Sequence, residues 1–162
     1  MVNNMREQLV KAGYAQNSRP NMQKKVQQFD FENFDVVTEA EKAIKGLQYK
    51  DKYDNTKIDV TTSQIRKFLT AVNVVRNKVD LYKAKNKGVE SLSKELTAEI
   101  KFLKVNLLYQ AGRTAAVKQF MKVSKLDVII DSIGDSLARF VKFTKYVEAL
   151  VAYHKFLGGK DK

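Results

Sequence analysis

The chain has 162 residues, of which 30 are Lys or Arg and 18 are Asp or Glu, so its formal net charge is +12 with its one histidine neutral. This length fits one domain, and a hydrophobic content of 44% suffices for a core, which excludes a second full-sized domain. The absence of cysteine excludes disulfides, thiolate zinc sites and cysteine nucleophiles, while the strong positive charge favours a polyanionic partner.

The first 35 residues are predicted to be a flexible or weakly ordered extension of a helical domain that spans residues 36–162. This segment is rich in Asn and Gln, contains the only proline, Pro20, and shows no sustained hydrophobic periodicity. Near its end, Phe29, Phe31 and Phe34 are candidates for docking on the domain. The sequence contains no apolar run of about 18 residues and no hydrophobic stretch of a signal peptide, so we expect a cytoplasmic protein.

Two capping boxes of the S/T-x-x-E/Q type predict where the first two helices begin. Thr38 and Glu41 form the first box, and apolar residues at helical spacing follow it, so a short helix is expected to end near residue 46. Thr61 and Gln64 form the second box. The one-sided apolar pattern after it predicts an amphipathic helix over residues 61–84.

The next predicted helix, over residues 92–111, is apolar on two sides. At 100° per residue its apolar side chains fall on two nearly opposite stripes: Leu96, Ile100, Leu103 and Leu107 on one, and Phe102, Val105 and Tyr109 on the other. Such a helix either lies centrally in a bundle or uses one face against another chain. For a domain of this size the central position is favoured.

Two further segments repeat helical spacing up to the C-terminal tail. Residues 114–133 do so with a predicted break near Ser124, and residues 136–157 form a last helix that ends at Gly158-Gly159. Taken together, the elements predict an all-α fold, a compact bundle of about five helices.

The positive charge belongs to the part of the chain after residue 60. Residues 1–60 carry ten basic and nine acidic side chains, whereas residues 61–162 carry twenty and nine. Two stretches, residues 60–79 and 100–126, contain no acid and should create positive potential.

The groups needed for catalysis are scarce. His154 is the only histidine and falls on the apolar side of the last helix, so a packed histidine is expected. Metal centres and nucleophilic triads need several converging ligands or bases, and no glycine-rich phosphate loop occurs. We therefore predict no catalytic site, no metal and no cofactor. Glu148, the sole acid of the last helix, is expected to pair with a base on a neighbouring helix.

Binding chemistry is better represented. On the 61–84 helix, Arg66, Thr70, Asn73 and Asn77 fall at i, i+4, i+7 and i+11, away from the core stripe. Guanidinium, amide and hydroxyl groups suit a sugar-phosphate backbone, although a solvated helix face would show the same pattern. Aromatic residues do not alternate with basic ones in the way that base-stacking platforms require.

Three separated motifs carry a resemblance to a known family. They are Thr61-Thr62-Ser63-Gln64-Ile65-Arg66-Lys67, Tyr109-Gln110-Ala111-Gly112-Arg113 and Glu148-Ala149-Leu150-Val151-Ala152-Tyr153-His154-Lys155. In this order and spacing they resemble the small subunit of type III-A CRISPR (Csm) effector complexes, over about residues 38–162.

The resemblance implies a small five-helix protein without a catalytic site that stacks with copies of itself into a short filament. It also implies a ribonucleoprotein with a guide RNA, a repeated backbone subunit and a large polymerase-like subunit, in which the positive face lines the channel for target RNA paired to the guide. The expected function is thus a non-catalytic RNA-binding subunit in antiviral defence.

The resemblance also implies which side chains contact RNA. Arg66 and Lys67 of the first motif and Arg113 of the second are best suited to phosphate, and Arg76, Lys78 and Lys104 are added from local charge alone. Two alternatives stay open at this point. One is a small basic all-α DNA-binding regulator, and the other is a metal-independent ribonuclease centred on His154.

Overall fold

A computed structural model describes residues 29–162, and this part of the chain contains six α-helices and one β-hairpin. In chain order the elements are α1 (Val36–Lys45), β1 (Tyr49–Lys50), β2 (Thr56–Lys57), α2 (Thr62–Lys85), α3 (Lys94–Arg113), α4 (Ala115–Ser124), α5 (Leu126–Ile133) and α6 (Leu137–Phe156). The predicted all-α fold is confirmed. None of the described helices is long and apolar enough to cross a membrane.

Helix α6 occupies the centre of the bundle. It packs against α1, α2 and α5. Four of its apolar side chains have at most 1% of their surface exposed: Phe140, Phe143, Val147 and Leu150. Its predicted end is confirmed, because the helix stops at Phe156 and Gly158 follows with φ +94°, a conformation that glycine adopts readily.

Helix α3 is covered on one side only, so the central position favoured by its sequence, which would bury both apolar stripes, is wrong. It packs on α2, α4 and α5 through the stripe of Leu96, Ile100, Leu103 and Leu107. On the opposite stripe Phe102 is 60% exposed, Val105 50% and Tyr109 66%. The second apolar stripe is therefore uncovered in the part of the chain that the structure describes.

The N-cap of helix α1 lies three residues before the threonine of its predicted capping box. Asp35 is the N-cap, and its carboxylate accepts hydrogen bonds from the backbone N–H groups of Val37 (3.0 Å) and Thr38 (3.4 Å). The Thr38 hydroxyl also donates to this carboxylate (2.6 Å). An ionised carboxylate is a stronger acceptor than a hydroxyl at a helix N-terminus, which explains why Asp35 caps the helix instead of Thr38.

The hairpin between α1 and α2 was not predicted from the sequence. β1 and β2 are antiparallel strands of two residues each. The Asp51 carboxylate organises the turn by accepting from the N–H groups of Tyr53 (2.8 Å) and Asn55 (3.0 Å). Its ion pair with Lys57 is the largest of several effects that lower the pKa of Asp51. Strands this short leave no alternating pattern to detect.

The predicted break near Ser124 is confirmed and separates α4 from α5. Lys125 lies between them with φ 55°, in the left-handed region. The hydroxyl of Ser124 donates to the Phe120 carbonyl (2.7 Å), a bond to the preceding turn of the kind that bends helices. The predicted 114–133 helix thus becomes two helices.

The predicted extension of residues 1–35 falls mostly on residues 1–28, which lie outside the described residues, so its flexibility and its boundary stay predictions. Residues 29–35 lie against the helices. The ring of Phe29 is 5.1 Å from that of Phe31 and 4.8 Å from that of Phe34, and Phe34 is 4.9 Å from Tyr146 of α6. Edge-to-face contacts of this kind add to the burial of the three phenylalanines.

Candidate nucleic-acid interface

The first turn of α2 precedes two of the predicted contact residues, and local bonds determine its position. The backbone N–H of Gln64 donates to Thr61 Oγ1 (3.3 Å), and the Gln64 side-chain oxygen accepts from the Thr61 N–H (2.9 Å). The capping box predicted here is confirmed. Arg66 and Lys67 follow on the exposed side of the helix.

The C-terminal tail folds back over the same turn. The N–H of Thr62 donates to the Lys160 carbonyl (2.7 Å), and the N–H of Ser63 donates to the Asp161 carbonyl (3.3 Å). These N–H groups are among those that a helix N-terminus leaves without an internal acceptor. The tail therefore satisfies them and holds the start of α2 in place.

His154 lies beneath this turn with no exposed surface, as the sequence predicts for a packed histidine. Its Nε2 is 2.7 Å from the Val60 carbonyl oxygen, and its Nδ1 is 3.3 Å from Thr62 Oγ1. Because a carbonyl only accepts, the neutral tautomer with the proton on Nε2 fits both contacts. Burial lowers the pKa of His154 below its ordinary value of 6.5. Both ring nitrogens are thus engaged, which argues against the ribonuclease alternative.

Lys67 of α2 and Arg113 at the end of α3 line one surface notch of about 190 Å³. Gln64, Gln110 and Thr114 also line it. Ammonium, guanidinium, amide and hydroxyl groups all donate hydrogen bonds, and phosphate oxygens accept them. The fold therefore places one cation from the first motif beside one from the second, in a recess suited to an anion.

These cations are not neutralised by acids within residues 29–162. No carboxylate there lies within 4.0 Å of the charged groups of Arg66, Lys67 or Arg113. Asp161 is close enough to respond to Arg66, although the larger cause of its lowered pKa is its own ion pair with Lys155. Three of the six predicted contact residues therefore have no acidic partner among residues 29–162.

The other three predicted contact residues are engaged in interhelical ion pairs. Arg76 pairs with Glu148 of α6, Lys78 bonds both oxygens of Glu99 on α3 (2.9 and 2.8 Å), and Lys104 pairs with Asp131 of α5. The six side chains are 30% to 51% exposed, so each pair contributes about 0–1 kcal/mol to stability. The base expected to pair with Glu148 is thus Arg76.

Sequence reasoning missed the polar lining of the notch. The sequence pattern indicates Gln64 only as half of a capping box and does not distinguish Gln110 or Thr114. The signal was present, because Gln110 and Arg113 are three residues apart in the second motif and therefore neighbours on one helix face. In the described part of the chain, no cluster of three or more His, Asp or Glu side chains is placed to hold a metal ion.

The three motifs lie at the start of α2, at the end of α3 and within α6, and comparison with known proteins supports the resemblance that they carry. The model of the family Csm2 Type III-A matches residues 35–160. The chain belongs to the Csm2 family of type III-A CRISPR systems. The predicted resemblance to the small subunit of Csm complexes is thereby confirmed.

Relatives from distant bacteria share most of their length with the chain. It is 34% identical over 128 residues to "CRISPR system Cms protein Csm2" of Mycobacterium tuberculosis (strain CDC 1551 / Oshkosh), covering 79% of this chain and 95% of the relative. It is 38% identical over 125 residues to the protein of the same description from Streptococcus thermophilus, covering 77% and 93%. The notch lies within the matched residues 35–160. So does the tail clasp, the hydrogen bonds of Thr62 and Ser63 to the C-terminal tail, apart from Asp161.

Proposed function

We propose that this chain is a non-catalytic, RNA-binding small subunit of a cytoplasmic type III-A CRISPR ribonucleoprotein. Its copies stack into a filament that cradles the duplex of guide RNA and target RNA during antiviral defence. In the assembly it contacts a repeated backbone subunit and a large polymerase-like subunit, and it needs no cofactor. Sequence selection is left to base pairing between the two RNA strands.

The observation that carries the RNA-binding part of this proposal is the notch of Lys67 and Arg113. Two helices bring these cations to one recess, together with two amides and a hydroxyl, and no carboxylate of residues 29–162 neutralises them. A phosphate seated there accepts a bidentate bond from the guanidinium and a second charge-assisted bond from the ammonium. Donors of this kind recognise the backbone and carry no base specificity.

Arg66 extends this contact along α2. It lies on the exposed side of the helix with Asn73 and Asn77 following two and three turns later. In A-form RNA the wide minor groove displays ribose hydroxyls, which amide side chains bond without reading the bases. Each copy then contacts about three phosphates and has a salt slope of about −2 to −3, which grows as copies stack.

The test compares two double variants of equal charge in the full chain. Arg66→Glu with Arg113→Glu removes two proposed phosphate contacts, while Lys83→Glu with Lys85→Glu makes the same charge change in the last turn of α2. Affinity for an RNA duplex is measured against salt concentration. The first variant should flatten the slope of log K against log[salt] by about two, and the second should leave it nearly unchanged.

Equal slopes in the wild type and in the first variant would remove these residues from the interface. Equal losses in both variants would mean that net charge alone attracts RNA. Tight, selective binding to one DNA duplex would favour the regulator alternative. Purification of the tagged chain from its host tests the assembly, because a guide RNA and larger Cas subunits should accompany it.

A further inference from the structure

The outer stripe of α3 exposes aromatic side chains that a cradle for a paired duplex does not use. Phe102 and Tyr109 have more than half of their surface exposed, and Val105 lies between them on the same face. In a fully paired duplex the bases are stacked on one another and are not offered to a protein side chain. The stripe is therefore complementary to a ligand with an exposed apolar face.

The charges around this stripe select the class of ligand. Positive charge lies at the Tyr109 end of the stripe, whereas Glu99 lies three residues before Phe102 on the same helix face and is paired with Lys78. Arg113 joins the stripe to the notch, since its guanidinium carbon lies 5.7 Å from the centroid of the Tyr109 ring while its side chain also lines the recess beside Lys67. An aromatic ring beside the cations of the notch complements a polyanion with flat apolar parts, which is the chemistry of unpaired nucleotides.

The spacing of the rings suits separate bases. Phe102 and Tyr109 are two turns apart on α3, which places their Cα atoms about 10 Å apart along the helix axis. This distance is too great for one base to cover both rings, so each ring offers a platform of its own. Tyr109 is the one beside the proposed phosphate site.

We propose that Tyr109 and Phe102 stack on unpaired bases of an RNA strand whose phosphate occupies the notch of Lys67 and Arg113. This inference rests on the proposed RNA-binding function and adds a preference that a backbone cradle lacks. The chain should bind single-stranded RNA, or a duplex with unpaired nucleotides, through contacts that a fully paired duplex does not make. Arg113 links the stacking site to the phosphate site, because it contacts the Tyr109 ring and faces the notch.

The test uses the full chain with two synthetic probes of equal length, a single-stranded RNA and the same strand fully paired. The double variant Phe102→Leu with Tyr109→Leu keeps the stripe apolar and removes the aromatic faces. Affinity for the single strand should fall about tenfold, while affinity for the paired duplex changes less than twofold. Tyr109→Phe keeps the ring and should bind both probes like the wild type. Circular dichroism checks that helicity is unchanged.

Phe156→Leu is the matched control, since Phe156 is the most exposed apolar side chain of the described residues and lies at the end of α6. It should leave both affinities unchanged. Unaltered single-strand binding by the double leucine variant would overturn the proposal. Equal losses on both probes would do the same.

Protein docking on the stripe is a separate outcome of this design. Leucine supports packing against a protein as phenylalanine does, so the double leucine variant would keep RNA affinity while Phe102→Asp abolished self-association in sedimentation experiments. That result would also overturn the proposal. If the aromatic variants bind RNA like the wild type while the Arg66 and Arg113 variants bind it more weakly, the stacking proposal is overturned and the proposed RNA-binding function is kept. If neither set of variants changes the RNA affinity, the proposed RNA-binding function is overturned as well.

Discussion

Two groups of cations on the α2–α3 pair are held in different ways. Where α2 begins and α3 ends, Arg66, Lys67 and Arg113 meet no carboxylate of residues 29–162. Further along the pair, three other cations are bonded to acids of α3, α5 and α6: Arg76, Lys78 and Lys104. Each group contains three positive charges, so the number of charges does not distinguish them. The acids on neighbouring helices make the difference.

The contrast separates two uses of a cation. A paired side chain ties one helix to another and has part of its field cancelled by its partner. An unpaired side chain keeps its full charge and its donors for a ligand such as phosphate. Arg66 and Lys67 directly follow the turn that the C-terminal tail and His154 hold in place, which limits the motion of the recess.

The largest effect is expected from a change that breaks the clasp over the start of α2. A Cβ atom at Gly159 would overlap Cε1 of the buried His154 ring, so Gly159→Ala should displace the tail and lower the free energy of unfolding by about 3 kcal/mol. Urea unfolding measures this. Gly112→Ala is the control, because a Cβ there meets nothing within 4 Å and alanine suits a helix better. Equal behaviour of the two variants would contradict the clasp.

A change of pH tests the contribution of His154, which lies beneath the first turn of α2, to stability. Burial lowers the pKa of His154 in the folded state, so below its ordinary value of 6.5 the unfolded chain binds more protons than the folded one. Stability is therefore full above pH 6.5 and falls as the pH drops toward the folded pKa, by at most about 1.4 kcal/mol per pH unit. His154→Gln should remove this slope between pH 6.5 and 5. A wild-type slope that persists in the variant would assign it to other groups.

Single alanine variants sharpen the comparison between the two kinds of cation. Lys67→Ala should weaken binding of an RNA duplex about tenfold, because it removes an unpaired ammonium from the notch. Lys78→Ala should weaken it less than threefold, since the charge of Lys78 is already shared with Glu99. Fluorescence anisotropy at fixed salt measures both constants. Equal losses would show that the ion pair does not withhold Lys78 from RNA.

The smallest effect concerns the strength of a paired cation. A double-mutant cycle with Arg76→Ala and Glu148→Ala should give a coupling free energy below about 1 kcal/mol, because both side chains are nearly half exposed. Thermal unfolding of the four proteins measures it. A coupling above 2 kcal/mol would mean that this pair holds α2 on α6 far more firmly than its exposure implies.

Much of the helical framework was predictable because its signals are local. The capping box of Thr61 and Gln64, the break near Ser124 and the stop at Gly158 all follow from bonds within a few residues of sequence. The start of α1 was misplaced because two capping candidates, Asp35 and Thr38, lie three residues apart, and it is Asp35 that accepts from the first N–H groups of the helix. The hairpin escaped detection because its order comes from the turn around Asp51.

The candidate site was predictable only in part. The motifs indicated Arg66, Lys67 and Arg113, and the fold places Lys67 and Arg113 side by side. Local charge indicated Arg76, Lys78 and Lys104 equally well, but each of them has an acid opposite it on another helix. The aromatic stripe was discounted because rings and cations do not alternate along the sequence. On α3 they nevertheless share one exposed surface.

The sequence by itself determined the helices, the basic character of residues 61–162 and the membership of the Csm2 family, because periodicity, composition and motifs are properties of the chain read in order. Only the tertiary structure decided that α3 is covered on one side alone, which cations are neutralised and which stripe is exposed. Ion pairing and burial depend on what lies opposite each side chain. They involve residues from separate helices, and no local sequence pattern specifies how those helices are placed relative to each other.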